Sequence, residues 1–183
     1  MPWWPTRSSP YATARAMIGV KPGDRVLVIG AGNGELAAQL ALVTGLNGRT
    51  LVVDVAPEAA QHVDRAAARA GALVEFNVAP TAILPLDPAT FDIVTVNRPL
   101  ARIPDRDRSA TIAEAVRVLR PGGRVLVLEH AERRGLFGAR PPAGPALSGD
   151  AVRELLTAAG LRAARVLANA EGRVYVEAIK ARV

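Results

Sequence analysis

Val26-Leu27-Val28-Ile29-Gly30-Ala31-Gly32-Asn33-Gly34-Glu35-Leu36 runs from an unbroken aliphatic stretch through three alternate glycines into the start of a helical pattern. A run of Val, Leu and Ile without polar alternation belongs to a strand buried on both faces, as when helices cover a parallel sheet. At the glycines a side chain would block close approach of a ligand to the backbone, and the amides of the following helix N-terminus offer donors to an anionic or polar group. Leu36, Leu40 and Val43 carry the helix on to Gly45. Asp54 lies 20 residues after Gly34, at the end of the next aliphatic run, where a carboxylate can accept hydrogen bonds from both hydroxyls of a ribose. Loop and acid together predict an adenosine-type cofactor. The dinucleotide fingerprint wants its third glycine at position 35, where this chain has Glu35, so a nicotinamide cofactor fits less well.

Outward from this unit, strands and helices alternate. A short helix is expected over residues 11–18, ended by Gly19 and the turn Lys21-Pro22-Gly23-Asp24, and the first strand over 25–29. A second strand follows over 49–54, a helix over 57–70 with Pro57 in its first turn, a third strand over 73–78 and a fourth over 91–96. Ile112, Ala115, Val116 and Leu119 mark a helix closed by Pro121-Gly122-Gly123, and 124–129 is the fifth strand. A proline-bearing loop over 131–147 leads to a helix near 149–159, and strands near 161–167 and 173–179 flank 169–172 as a hairpin. Right-handed crossovers bring every strand-to-helix loop to one edge of a mainly parallel sheet, where ligands should bind.

The chain has 183 residues, 50% of them apolar, enough for one compact domain: an arm and short helix over 1–19 and a cofactor-binding domain over 20–183. With 4% aromatic residues, the core must be aliphatic side chains and alanine. No apolar run approaches the roughly 20 residues that span a bilayer, and no signal-peptide pattern opens the chain, so a soluble, cytoplasmic protein is expected. Cysteine is absent, which excludes disulfides and thiolate chemistry, and two histidines make a histidine-rich metal site unexpected. The net charge of +6 rests on arginine, since Lys21 and Lys180 are the lysines of the chain. That balance points either to an anionic partner or to a coding bias toward arginine.

Val26 to Glu35 resembles the first motif of the class I S-adenosyl-L-methionine-dependent methyltransferases. Leu84-Pro85-Leu86-Asp87-Pro88-Ala89-Thr90-Phe91-Asp92-Ile93-Val94 resembles their entry into strand four, and Val118-Leu119-Arg120-Pro121-Gly122-Gly123 their turn into strand five. The motifs stand in the family's order and the resemblance covers roughly residues 20–180, nearest to small-molecule enzymes including those of quinone biosynthesis. It implies an α/β fold: a Rossmann-like, doubly wound, mainly parallel seven-stranded sheet with a C-terminal antiparallel hairpin. It further implies S-adenosyl-L-methionine as cofactor, held by Gly30, Ala31, Gly32, Asn33 and Gly34, with Asp54 on the ribose and Val55 beside adenine. The family often carries an acid two residues before the first glycine and an Asp after strand three; this chain has Val28 and Pro80, the latter beside Thr81, which with Asn97 completes the implied cofactor contacts. Those departures imply weaker cofactor affinity, backbone groups in place of side chains, or a fold kept without activity, in that order.

Transfer from a sulfonium needs an aligned acceptor more than a fixed catalytic constellation, so a base is sought at the carboxyl ends of strands four and five. Asn97-Arg98-Pro99-Leu100 resembles the Asn-Pro-Pro-aromatic loop of amino methyltransferases, with Leu100 where the aromatic would stand; the plainer reading gives Asn97 a local turn bond. His130 is either a base near neutral pH or a backbone-bonded side chain. Arg98, Arg102, Arg106 and Arg108 follow strand four, and Arg133, Arg134 and Arg140 follow strand five. They would draw an anionic small-molecule acceptor, with Arg98 and Arg102 as its contacts, or form a solvated rim partly neutralised by Asp105 and Asp107. Trp3 and Trp4 are read as packing on the domain, as a lid, as a lipid contact, or as a homodimer contact through the arm. Two rival readings accompany the enzyme: a catalytically silent scaffold, and a nucleic-acid methyltransferase, which has the charge but no aromatic platform.

Overall fold

The computed structural model describes residues 11–97, 100–130 and 146–182. Trp3, Trp4, Arg98, Arg133, Arg134 and Arg140 lie outside the described residues. The elements are α1 (Ala12–Ile18), β1 (Arg25–Ile29), α2 (Glu35–Thr44), β2 (Arg49–Asp54), α3 (Ala59–Ala70), β3 (Glu75–Val78), β4 (Phe91–Val96), a 3-10 turn (Leu100–Arg102), α4 (Asp105–Val118), β5 (Leu119–His130), α5 (Gly149–Ala158), β6 (Arg162–Ala170) and β7 (Arg173–Ile179).

Among the described residues one seven-stranded sheet has the order β3-β2-β1-β4-β5-β7-β6. The five strands from β3 to β5 are parallel, and β7 enters antiparallel between β5 and β6. The doubly wound α/β expectation holds. Successive residues of β1 face opposite layers: Val26 and Val28 join Ile18, Leu36, Leu40 and Val63 beneath α1, α2 and α3, whereas Leu27 and Ile29 join Ile112, Ala115 and Leu156 beneath α4 and α5. The four β1 side chains from Val26 to Ile29 are fully buried. Each such burial contributes about 1.5–3 kcal/mol, which is why a strand so placed tolerates no alternation.

Several boundaries differ from the sequence reading. α3 starts at Ala59, because Pro57 sits in the preceding turn, where its carbonyl accepts from Ala60 N–H at 3.2 Å. β3 starts at Glu75, opposite Leu51, and leaves Leu73 exposed. Leu119 belongs to β5, and Pro121-Gly122-Gly123 lies inside that strand rather than closing the helix. The last carbonyls of α4 and the first of β5 are taken from outside: Ala89 and Thr90 donate to Arg117 and Val118, and the Lys180 ammonium donates to Val116 and Leu119 at 2.8 and 2.6 Å. β6 runs on through Ala170, so the hairpin turn is the pair Glu171-Gly172, both at positive φ (55° and 72°), the twist that suits a tight hairpin.

Candidate functional site

The chain leaves β1 to one side of the sheet, through β2 and β3, and returns through β4 on the other, so the crevice of the sheet opens between the carboxyl ends of β1 and β4. The glycine loop stands there. Gly30 N–H donates to Val53 O at 2.8 Å, and Asn97 donates from its backbone to Ile29 O at 2.8 Å and from its side-chain amide to Gly30 O at 3.2 Å. Asn97 is half-buried and its amide holds the glycine loop 67 residues earlier in the chain, a long-range contact rather than the local turn bond of the plain reading.

The three glycines do different things. A Cβ on Gly32 (φ 56°) would stand 3.0 Å from Asn97 Nδ2 and 3.5 Å from the Tyr11 hydroxyl, at the mouth of the crevice. One on Gly34 (φ 81°) would lie 2.7 Å from His62 O and 2.8 Å from Val63 Cα, inside the backbone of α3. The third glycine thus answers to helix packing. Asn33 Oδ1 accepts from Glu35 N–H at 3.2 Å, a local turn that opens α2.

Asp54 is 8% exposed, and its two oxygens accept from Ala31 N–H at 2.8 Å and Ala56 N–H at 3.1 Å. It ties the loop after β1 to the loop after β2. A carboxylate has about four lone-pair sites, so this duty is compatible with accepting from ligand hydroxyls as well. Beyond it a cavity of about 340 Å³ lies between the loops after β2, β3 and β4, walled by Val55, Pro80, Thr81, Arg102, Ile103 and Asp107. Val55, Thr81 and Arg102, assigned separately from the sequence, meet in this one cavity. Arg102, which the sequence reading gave to the acceptor, lines it together with the two cofactor candidates.

The remaining arginines after β4 part company. Arg108, 15% exposed, donates to Leu100 O at 2.9 Å and Ile103 O at 3.1 Å and pairs with Asp105 at 2.8 Å, so it clamps the 3-10 turn to α4. Arg106 is almost fully exposed and its Nε is 3.7 Å from Asp107. Val28, where the resembling family often has an acid, is fully buried in the core layer beneath α2.

At the end of β5, the fully buried Glu129 accepts from Ala101 N–H at 3.2 Å and His130 N–H at 2.8 Å. Burial pushes its pKa above the usual glutamate value, against the pull of those backbone donors. The sequence reading missed Glu129, although a lone charge closing the run Val125-Leu126-Val127-Leu128 at the ligand edge was the available signal. It also missed Tyr11, 6% exposed, which carries the Arg173 guanidinium 4.5 Å over its ring. His130 is half-buried and stands opposite Arg173 in the β5–β7 register. Among the described residues no group of three or more His, Asp or Glu is arranged to hold a metal ion.

Residues 26–123 match the methyltransferase domain family. Among curated proteins, the ubiquinone/menaquinone biosynthesis C-methyltransferase UbiE of Teredinibacter turnerae is 37% identical over 113 residues, 61% of this chain and 45% of that protein. Its namesake from Idiomarina loihiensis is 36% identical over 114 residues, 61% of this chain and 44% of that protein. The matched region thus spans less than half the length of these relatives. Among solved structures, a SAM-dependent methyltransferase from Aquifex aeolicus superposes with a TM-score of 0.79 at 23% identity, covering 93% of this chain and 89% of that one. The [4+2]-cyclase SpnF superposes with a TM-score of 0.74 at 19% identity, covering 99% and 86%. One fold therefore carries both names, and chemistry has to be read from the site.

Proposed function

Because the chain belongs to the methyltransferase domain family, we propose that it is an enzyme that transfers the methyl group of S-adenosyl-L-methionine to a small-molecule acceptor. The observation that carries this reading is the meeting, at the switch point of the sheet, of the bare backbone at Gly32, the Asp54 carboxylate and the cavity beside Val55. These fit a ligand made of an amino-acid arm, a ribose and a flat base. Gly30, Ala31, Gly32 and Asn33 lie along the arm and ribose, Asp54 accepts from the ribose hydroxyls, and Val55 and Ile103 flank the base. When bound, the cofactor supplies an electrophilic sulfonium methyl. The residues of the chain orient it and exclude water, which alone can account for much of the barrier lowering.

The acceptor is placed over the ends of β4 and β5, near Asn97, His130 and Tyr11. An anionic acceptor keeps Arg98 and Arg102 as its candidate contacts, whereas Arg108 is spent on the 3-10 turn. A cytoplasmic place of work belongs to the same proposal; among the described residues no helix is long and apolar enough to cross a membrane.

A second reading, a silent binding protein with this fold, is favoured by the buried Val28 and by Pro80, which leave two polar contacts unfilled. Calorimetry with S-adenosylmethionine and S-adenosylhomocysteine separates the two. Micromolar binding of both supports the enzyme; binding of neither at millimolar concentration leaves the scaffold.

A further inference from the structure

We propose that the carboxylate of Asp107, in the first turn of α4, recognises the exocyclic amino group of the cofactor's adenine and selects against a 6-keto purine. The inference rests on the cofactor reading above and assigns the far end of its cavity.

The walls of that cavity are mostly apolar, with Val55, Pro80, Ile83 and Ile103 suited to the faces of a flat ring. Its polar lining comes from Thr81, Arg102 and Asp107. Hydrogen bonding fixes what Thr81 can do. Thr111 donates its hydroxyl proton to Asp107 O at 2.9 Å, so at 3.0 Å it can only accept from Thr81. Thr81 therefore turns its proton inward and offers the cavity an acceptor. Pro80 offers neither an N–H nor a side-chain acceptor.

Asp107 is the carboxylate in this wall. Its side chain is 44% exposed, and the Arg106 Nε at 3.7 Å lies beyond hydrogen-bonding reach, so the oxygens stay accessible to a ligand. Its position is built. Arg108 holds the first turn of α4 to the carbonyls of Leu100 and Ile103, and Thr111 holds the Asp107 carbonyl. A carboxylate so placed accepts from the amino group of adenine. It repels the carbonyl oxygen that a 6-keto purine carries at the same position. The acid that the loop after β3 lacks is thus supplied by the next helix.

The test is calorimetry of the full chain with S-adenosylhomocysteine and its 6-keto analogue, S-inosylhomocysteine. The parent is expected to prefer the adenosyl compound at least tenfold. Asp107→Ala should weaken adenosyl binding about tenfold and strengthen inosyl binding severalfold, since the repulsion of the keto oxygen goes with the carboxylate. Asp107→Asn, whose amide can donate to a keto oxygen, should narrow or invert the preference. Circular dichroism melts verify that each variant is folded, and should Asp107→Ala not fold, the near-isosteric Asn variant carries the test. If both ligands weaken equally, or if neither changes, Asp107 only supports the fold and the assignment is overturned. A parent that binds neither ligand overturns the cofactor reading instead, and the assignment with it.

Discussion

A methyl group at position 34 has nowhere to go, whereas one at position 32 meets the end of a side-chain amide and a hydroxyl. Gly34→Ala combines positive-φ strain with a backbone clash and should cost about 3 kcal/mol of stability. Gly32→Ala should cost about 1 kcal/mol, since Asn97 can give way, yet lose most S-adenosylhomocysteine binding. Urea melts and calorimetry on the pair check this; equal destabilisation would remove the distinction between a packing glycine and a ligand glycine. Glu129 makes the other single-residue prediction. Its folded pKa is raised above the usual 4.5 by burial, so the fold favours its protonated form. The stability it contributes is present below the unfolded value and is lost as pH rises from there through the folded value. The Glu129→Gln variant should lack that downward slope, which urea melts at stepped pH would reveal; a slope shared by both proteins would show that Glu129 does not titrate in the fold.

Between β3 and β4 the proline loop has no regular structure of its own, and α4 holds it. Arg117 donates to Leu86 O at 2.8 Å, to Leu84 O at 3.0 Å and to both oxygens of Glu114, which in turn accepts from Leu84 N–H at 2.7 Å. The Arg117 hydrogen bond holds the Glu114 carboxyl below its usual value. The clasp therefore contributes above the unfolded value of 4.5 and is lost as pH falls through the lowered one. Arg117→Ala should destabilise the protein by about 2 kcal/mol, because two loop carbonyls and a carboxylate lose a charged donor. The same loop brings Thr81 and Ile83 to the cavity, so the variant should also bind S-adenosylhomocysteine several-fold more weakly. Unchanged affinity in the destabilised variant would separate the loop from the site. α1 is anchored by a similar device: Arg124 donates to Ile18 O and pairs with the buried Glu177 at 2.8 Å, which seats Tyr11 above the glycine loop.

Across the whole molecule, the site exists because β1 lies between β2 and β4. Asp54 makes this concrete, for its carboxylate belongs to one loop and holds another. The sequence reading assigns it to ribose hydroxyls alone, from which Asp54→Ala would lose affinity and little stability. The structure adds a second loss: two backbone donors forfeit a buried acceptor, and stability should fall by about 1–3 kcal/mol along with cofactor affinity. A fully stable variant with impaired binding, seen by thermal melts and calorimetry together, would restore the simpler view.

The sequence by itself determined the α/β alternation, the glycine turn and the acid after β2. Each is written in local terms: aliphatic runs buried on both faces, glycines where the backbone turns, and a carboxylate ending a strand. Only the tertiary structure decided which groups those elements bring together. Arg108 and Arg117 became clasps because the carbonyls they reach belong to loops distant in the chain or across a turn, and Glu129 was buried because β7 and the loop after β4 close over the end of β5. Asp107 came to face the same cavity as Val55 and Thr81 because the loops after β2, β3 and β4 all open at the carboxyl edge of one parallel sheet. Such contacts depend on which strands are neighbours, and neighbourhood in a sheet is set by long-range packing, which no local pattern of residues encodes.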